Sequence, residues 1–201
     1  MKIRLEEEAD YLEVEKMVRD SFWNIYRPGA FEHFIVHQLR DDESFIRNLA
    51  YVIEEDGKII AHICYSKGYL QFENQREDAV VLGPVAIAKD YQNQGLGTKL
   101  IRYTLDLAEE YPYVFVIGDE NYYRIFGFVS ASKYNIYLDG TDLEEENPFF
   151  MIKVFDEDEL SEELAIFHNP DVFNVNADEV DEFDRQFEYR KKLVLEGQLG
   201  V

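Results

Sequence analysis

A single cysteine, Cys64, leaves the chain unable to close a disulfide within itself, which excludes a small secreted scaffold held by cross-links. No apolar run approaches the roughly 18–20 residues that cross a bilayer as a helix. The opening residues, Met1-Lys2-Ile3-Arg4 followed by Glu6-Glu7-Glu8, lack the apolar stretch of a signal peptide. A cytoplasmic location and no membrane partner are the expectations. Basic residues are scarce, 20 Lys and Arg against 42 Asp and Glu, for a net charge of −22. Nucleic-acid affinity rests on neutralising phosphates, so this balance argues against DNA or RNA as partner. The acidity serves solubility, and it favours encounter with cationic small molecules or lysine-rich partners.

What is present suffices for a core: 46% of the residues are hydrophobic and 15% aromatic. A length of 201 residues suits one domain, or a domain with a small appendage. Val14, Met17, Val18, Ser21 and Phe22 recur at helical spacing, Pro28-Gly29 breaks the chain, and Phe31, Phe34, Ile35, Gln38 and Leu39 form a second stripe. Tyr11, Trp23 and Tyr26 near that break read as core aromatics or as the lining of an acceptor pocket. Asp56-Gly57 between apolar alternations predicts a hairpin joining strands at 50–53 and 58–66, the second extended by 69–72. Residues 79–87 are almost wholly apolar, as a central strand covered on both faces should be. Their Gly83-Pro84 step predicts a bulge or splay, because proline cannot donate to a ladder.

A helix follows over 100–108, then a strand at 113–117, a brief helix at 120–126, a strand over 128–138, an acidic loop at 139–148 and a last strand at 149–155. Residues 1–155 thus read as one domain. Residues 156–201, where acidic residues alternate with isolated aromatics, read as an appendage of one or two helices packing on it. A dimerisation arm, a lid and a plain brace all fit that segment, and a homodimer stays open.

The chemistry concentrates after the central strand, at Gln92-Asn93-Gln94-Gly95-Leu96-Gly97-Thr98. Glycines at 95 and 97 remove the Cβ atoms that would keep a bulky anion from the main chain. The first helical turn beyond them offers unpaired N–H groups and the positive end of the helix dipole. Together they make a site for a phosphate or diphosphate. A nucleotide P-loop needs Gly-x-x-x-x-Gly-Lys-Ser/Thr, and here Thr98 precedes Lys99 without the earlier glycine. A dinucleotide fingerprint needs a third Gly or Ala where Leu100 stands. Neither fits.

Gln92-x-x-Gly95-x-Gly97 resembles the Gln/Arg-x-x-Gly-x-Gly/Ala pyrophosphate turn of the GNAT superfamily, the coenzyme A-dependent N-acetyltransferases. The strand ending Pro84-Val85-Ala86-Ile87 is similar to the family's fourth strand. Asn121-Tyr122-Tyr123-Arg124-Ile125-Phe126-Gly127-Phe128 is similar to its Tyr-x-x-x-Gly-Phe motif, and the order of elements matches over roughly residues 1–155. The resemblance implies an α/β (α+β) fold with a mixed, mostly antiparallel twisted sheet, flanked by helices and splayed between central strands. It implies acetyl-CoA as cosubstrate and an amine as acceptor. It implies that the backbone of Val85, Ala86 and Ile87 holds the pantetheine arm, and that the amides of Gln92, Asn93, Gln94, Gly95, Leu96, Gly97 and Thr98 hold the diphosphate. Tyr123 is the implied proton donor to the leaving thiolate, with Tyr122 as a fallback that should point elsewhere.

The base stays open. Some relatives carry a glutamate on the fourth strand, and 79–87 has none, so a water chain ending at His62, Asp119 or Glu120 is the expectation. His33 and His37 stand four apart on a predicted helix, but no His-Glu-x-x-His pattern accompanies them, and nothing in the sequence requires a metal. A coenzyme A-binding sensor without catalysis is the competing function.

Overall fold

The computed structural model describes residues 1–143 and 145–199. Glu144 of the predicted acidic loop, and Gly200 and Val201 at the end of the predicted appendage, lie outside the described residues. The elements run β1 (Lys2–Leu5), α1 (Tyr11–Phe22), α2 (Glu32–Leu39), β2 (Tyr51–Glu55), β3 (Lys58–Gln71), β4 (Arg76–Ile87), α3 (Leu96–Leu107), β5 (Tyr113–Ile117) and α4 (Glu120–Tyr123). There follow β6 (Val129–Ser130), β7 (Ile136–Leu138), β8 (Phe150–Val154), β9 (Ala165–His168) and α5 (Ala177–Phe183). Among the described residues they form one mixed sheet in the order β1-β2-β3-β4-β5-β8-β6, with β9 pairing both β3 and β7.

Alternation assigns the faces. Ile63 and Tyr65 of β3 and Val80 and Leu82 of β4 pack under Leu96, Leu100, Ile101 and Leu105 of α3. The opposite face carries Cys64 and Ala86, packed against Val14, Val18, Val36 and Leu39 of α1 and α2. At the far end of the sheet Phe115, Phe150 and Phe167 meet with ring centroids 4.7–5.4 Å apart. The hairpin forms as its dipeptide demands, with Asp56 and Gly57 both at positive φ.

Two expectations meet a different chain path. The single strand expected over 128–138 is interrupted by a 3-10 turn, Ala131–Tyr134, closed by Asn135 at φ 59°. Its second half, β7, leaves β8 and pairs in parallel with β9. Residues 156–201 contribute a strand and not only helix: Tyr69, Leu70 and Gln71 of β3 pair with His168, Phe167 and Ile166. The remainder of that segment carries α5 and then runs beside the loop between α1 and α2.

That loop is tied down by the tail. Asn24, at φ 62°, accepts from the amides of Gly29 (2.9 Å) and Leu193 (3.0 Å), and donates to Lys191 O (3.1 Å). Trp23 Nε1 also reaches Lys191 O, and Leu199 N–H donates to Tyr26 O. Asn24→Ala loses three hydrogen bonds at a left-handed position that alanine disfavours. We expect a loss of about 1–2 kcal/mol of unfolding free energy in a urea titration, partly recovered in Asn24→Gly. An unchanged midpoint would mean that the tail is not held through this residue.

Candidate active site

The opening begins where two strands stop pairing. β4 and β5 run parallel through Val80–Val114, Val81–Phe115 and Leu82–Val116, and no further. β4 then continues to Ile87 with β3 alone. At the point of divergence the register shifts, so that Gly83 and Pro84 oppose the single residue Cys64. This is the bulge that the Gly-Pro step predicts.

Beyond the bulge the backbone has a definite facing. Ala88 N–H donates to Ile60 O, and antiparallel pairs alternate, so Ala86 bonds toward His62 while Val85 and Ile87 turn away from β3. Ile87 O accordingly accepts from Ser21 Oγ (2.8 Å) and Gln92 Nε2 (3.1 Å), both outside the sheet. Among Val85, Ala86 and Ile87, then, Val85 and Ile87 present main chain to the opening.

The turn that follows folds by its own residues. Lys89–Tyr91 form a 3-10 turn, Gln94 Nε2 reaches back to Asp90 O, and Asn93 and Gly95 take φ of 60° and 79°. The first bond of α3 is Lys99 N–H to Gly95 O. The amides of Leu96, Gly97 and Thr98 therefore lie ahead of the intrahelical ladder. Leu96 and Gly97 are buried, whereas Gln92, Asn93, Gln94 and Gly95 are exposed. A Cβ at Gly97 would meet Ile87 Cγ1 at 3.7 Å and the Tyr122 hydroxyl at 2.6 Å, so a side chain there would have to displace that hydroxyl.

Tyr123 closes the other side. Asp119 caps α4 by accepting the Asn121 amide at 2.9 Å. The Tyr123 ring lies flat against Gly118, where a Cβ would stand 2.4 Å from Cε2. Edge contacts fix it to Phe128 (centroids 5.8 Å) and Tyr122 (5.2 Å). Its hydroxyl has no hydrogen-bond partner among the described residues. Burial pushes the Tyr123 phenol well above the usual range, with Tyr122 and Tyr26 adding to the rise. Gly118 was legible only as the end of a strand; its second role is to admit this ring.

Of the aromatics near the Pro28-Gly29 break, only Tyr26 comes to the opening. Burial raises its phenol, the charges of Glu32 and Asp119 raise it further, and Tyr26 in turn acts on the Tyr123 phenol. Trp23 instead lies beneath the Arg19 guanidinium (4.1 Å), and Tyr11 beneath that of Arg40 (3.9 Å). The candidate bases separate similarly. His62 is fully buried, 3.4 Å from Glu6 Oε1; neither ring nitrogen has a hydrogen-bond partner, so the approach is electrostatic. Glu120 pairs with Arg124 at 3.3 Å. Asp119 is exposed at the mouth.

His33 and His37 each face a carboxylate, Asp184 at 3.0 Å and Glu15 at 2.9 Å, and do not converge. A cavity of about 450 Å³ between Ser44, Lys67, Tyr69, Arg76 and Asn169 lies at the opposite end of β3 and β4, away from the glycine turn. No helix among the described residues is long and apolar enough to cross a membrane.

Comparison with known proteins agrees with this fold. Residues 15–128 match the model of the acetyltransferase (GNAT) family. The uncharacterized N-acetyltransferase YhbS of Escherichia coli K12 is 29% identical over 138 residues, 68% of this chain and 78% of that protein. The crystal structure of E. coli YhbS in complex with CoA superposes with a TM-score of 0.73 at 24% identity, covering 87% of this chain and 92% of the other. A GNAT family acetyltransferase from Brucella melitensis in complex with acetyl-CoA gives 0.67 at 25% identity, covering 86% and 97%.

Proposed function

Since the chain belongs to the GNAT family of acetyltransferases, an enzyme family of the acyltransferase class, we propose that it transfers an acetyl group from acetyl-CoA to a primary amine of a small molecule or peptide. The observation that carries this reading is the continuity of the β4 edge at Val85 and Ile87, which pairs with no strand on that side, with the unpaired amides of the glycine turn. The edge suits an extended amide-bearing arm added like a strand, and the turn suits a diphosphate. Relatives that hold CoA or acetyl-CoA support the assignment.

Two proton problems define the chemistry. An alkylamine of pKa ~10.4 arrives charged and must lose a proton before its lone pair attacks the thioester carbon. Asp119, exposed at the start of α4, takes that proton through water. As the C–N bond forms, negative charge moves to the carbonyl oxygen, where the Val85 amide is the donor facing the opening. The intermediate collapses by breaking the C–S bond; the Tyr123 hydroxyl supplies the proton to the departing thiolate and is restored by the proton that the acylated nitrogen sheds. The net charge of −22, with the negative charges of Glu32 and Asp119 acting on Tyr26, favours a cationic acceptor.

Calorimetry of the purified chain with coenzyme A and acetyl-CoA is expected to show saturable binding. Incubation with acetyl-CoA and a panel of amines, polyamines among them, is expected to release thiol only when acceptor is present. Absence of binding to either nucleotide thioester or thiol would end the reading. Tight binding without release across the panel would leave a sensor.

A further inference from the structure

The two adjacent tyrosines of α4 divide their work. Tyr123 turns inward between the splayed strands, whereas Tyr122 leans the other way, onto the glycine turn. Its ring is fixed by edge contacts to Tyr123 (5.2 Å, 77°) and Phe126 (5.5 Å, 78°), yet 36% of the residue is exposed. Its hydroxyl lies 2.6 Å from the position that a Cβ on Gly97 would take. Gly97 lies in the same turn as the amides of Leu96 and Thr98, and all three amides stand ahead of the intrahelical ladder. Burial pushes the phenol upward, with Thr98 acting against the rise, so the group carries its proton at neutral pH. An O–H donor held at a cluster of unpaired N–H donors has one chemical complement, an anion with several acceptor oxygens. Gly97 is therefore glycine for two reasons, the approach of the anion and the seat of this hydroxyl.

We propose that the Tyr122 hydroxyl is a ligand of the coenzyme A diphosphate, donating to a phosphate oxygen beside the amides of the turn. The proposal rests on the coenzyme A reading above and assigns a residue that the glycine motif does not contain. It also links the two halves of the site physically. The helix that presents Tyr123 to the thioester is the helix that Tyr122 anchors to the diphosphate, so a bound diphosphate holds α4 in register with the strand edge. With so few basic residues in the chain, neutral donors of this kind carry the anion recognition.

The test uses the whole chain and Tyr122→Phe, which keeps the ring on Tyr123 and Phe126. Calorimetry with coenzyme A is expected to give a dissociation constant about tenfold weaker for the variant, the loss of one hydrogen bond to a charged oxygen. Pantetheine, which lacks the diphosphate and is followed by NMR titration, should bind both proteins alike. Equal or tighter binding of coenzyme A by the variant would overturn the proposal, the second outcome marking the hydroxyl as a plug. Equal weakening of both compounds would also overturn it, since a purely positional role predicts that result. Failure of the wild type to bind coenzyme A at all is a separate outcome: it removes the acetyltransferase reading first, and this assignment with it. Gly97→Ala adds an independent arm. Its methyl group would strike the Tyr122 hydroxyl, so the double variant Gly97→Ala/Tyr122→Phe is expected to bind coenzyme A no worse than Gly97→Ala alone.

Discussion

Tyr123→Phe is expected to lower kcat at least about tenfold, and on the order of a hundredfold at the usual size of a general acid contribution. The affinity for acetyl-CoA should stay within about twofold. The ring contacts survive the change, because Gly118, Tyr122 and Phe128 touch carbon atoms and the hydroxyl bonds to nothing among the described residues. What is lost is a donor aimed at charge that appears only as the C–S bond breaks. Such a loss falls on kcat and spares ground-state binding. The same burial that raises the phenol keeps it protonated. The rate of the wild type should therefore rise with pH as the amine deprotonates, with no alkaline decline from this group up to about pH 10. A raised phenol is also a weaker acid than the thiol it serves, so its proton moves only as thiolate charge develops at the breaking C–S bond. Steady-state kinetics with any acceptor found in the amine panel check both parts. Unchanged kcat in the variant would remove the acid role and leave the thiolate departing unaided.

The site was legible where local chemistry dictates it. Gly95 and Gly97 on either side of Leu96 announce a turn whose amides must stay free, and the Gly83-Pro84 step announces a break in pairing; each follows from backbone geometry within a few residues. The hairpin at Asp56-Gly57 belongs to the same class. What escaped depends on contacts distant in sequence. Ala165–His168 is four residues of ordinary alternation after an acidic stretch, and its place against Tyr69–Gln71 is set by an edge nearly a hundred residues earlier. The strand expected over 128–138 has the right apolar content. Its interruption turns on Asn135, which tolerates a left-handed backbone but does not require one. The tail ties down the loop between α1 and α2 through Asn24, Trp23 and Tyr26, contacts across more than 160 positions, and no local pattern encodes that. Tyr122 was expected to point away from the acid position, as it does. The direction it takes instead, toward Gly97, depends on the packing of a four-residue helix.

Arg40→Ala is expected to destabilise the fold by about 3–5 kcal/mol, the usual cost of removing one partner from a buried ionic cluster. Arg40 is 3% exposed and binds two carboxylates at once, Glu6 Oε1 at 2.7 Å and Glu15 Oε1 at 2.6 Å, over the Tyr11 ring. Alanine leaves both acids inside the protein with only His62 and His37 nearby. Burial alone pushes the Glu6 carboxyl up, but His62 and Arg40 together outweigh it and hold the group at about 2. A depressed carboxylate contributes stability above its unfolded pKa and loses it as pH falls through the folded value. The wild-type protein should thus lose this contribution between roughly pH 4.5 and 2. In the variant the guanidinium is gone and His62 is left to oppose burial, so Glu6 takes up its proton at a higher pH than in the wild type. The stability gap between the two proteins is therefore expected to narrow as the solution is acidified across that interval. Denaturant titrations at neutral pH and at successively lower pH measure both effects. The triple variant Arg40→Ala/Glu6→Gln/Glu15→Gln separates charge from packing: recovery of more than half the loss assigns the cost to stranded carboxylates, and no recovery assigns it to the cavity left over Tyr11. A loss below about 1 kcal/mol in Arg40→Ala at neutral pH would mean that water reaches Glu6 and Glu15, and that α1 and α2 are not locked to β3 by this cluster.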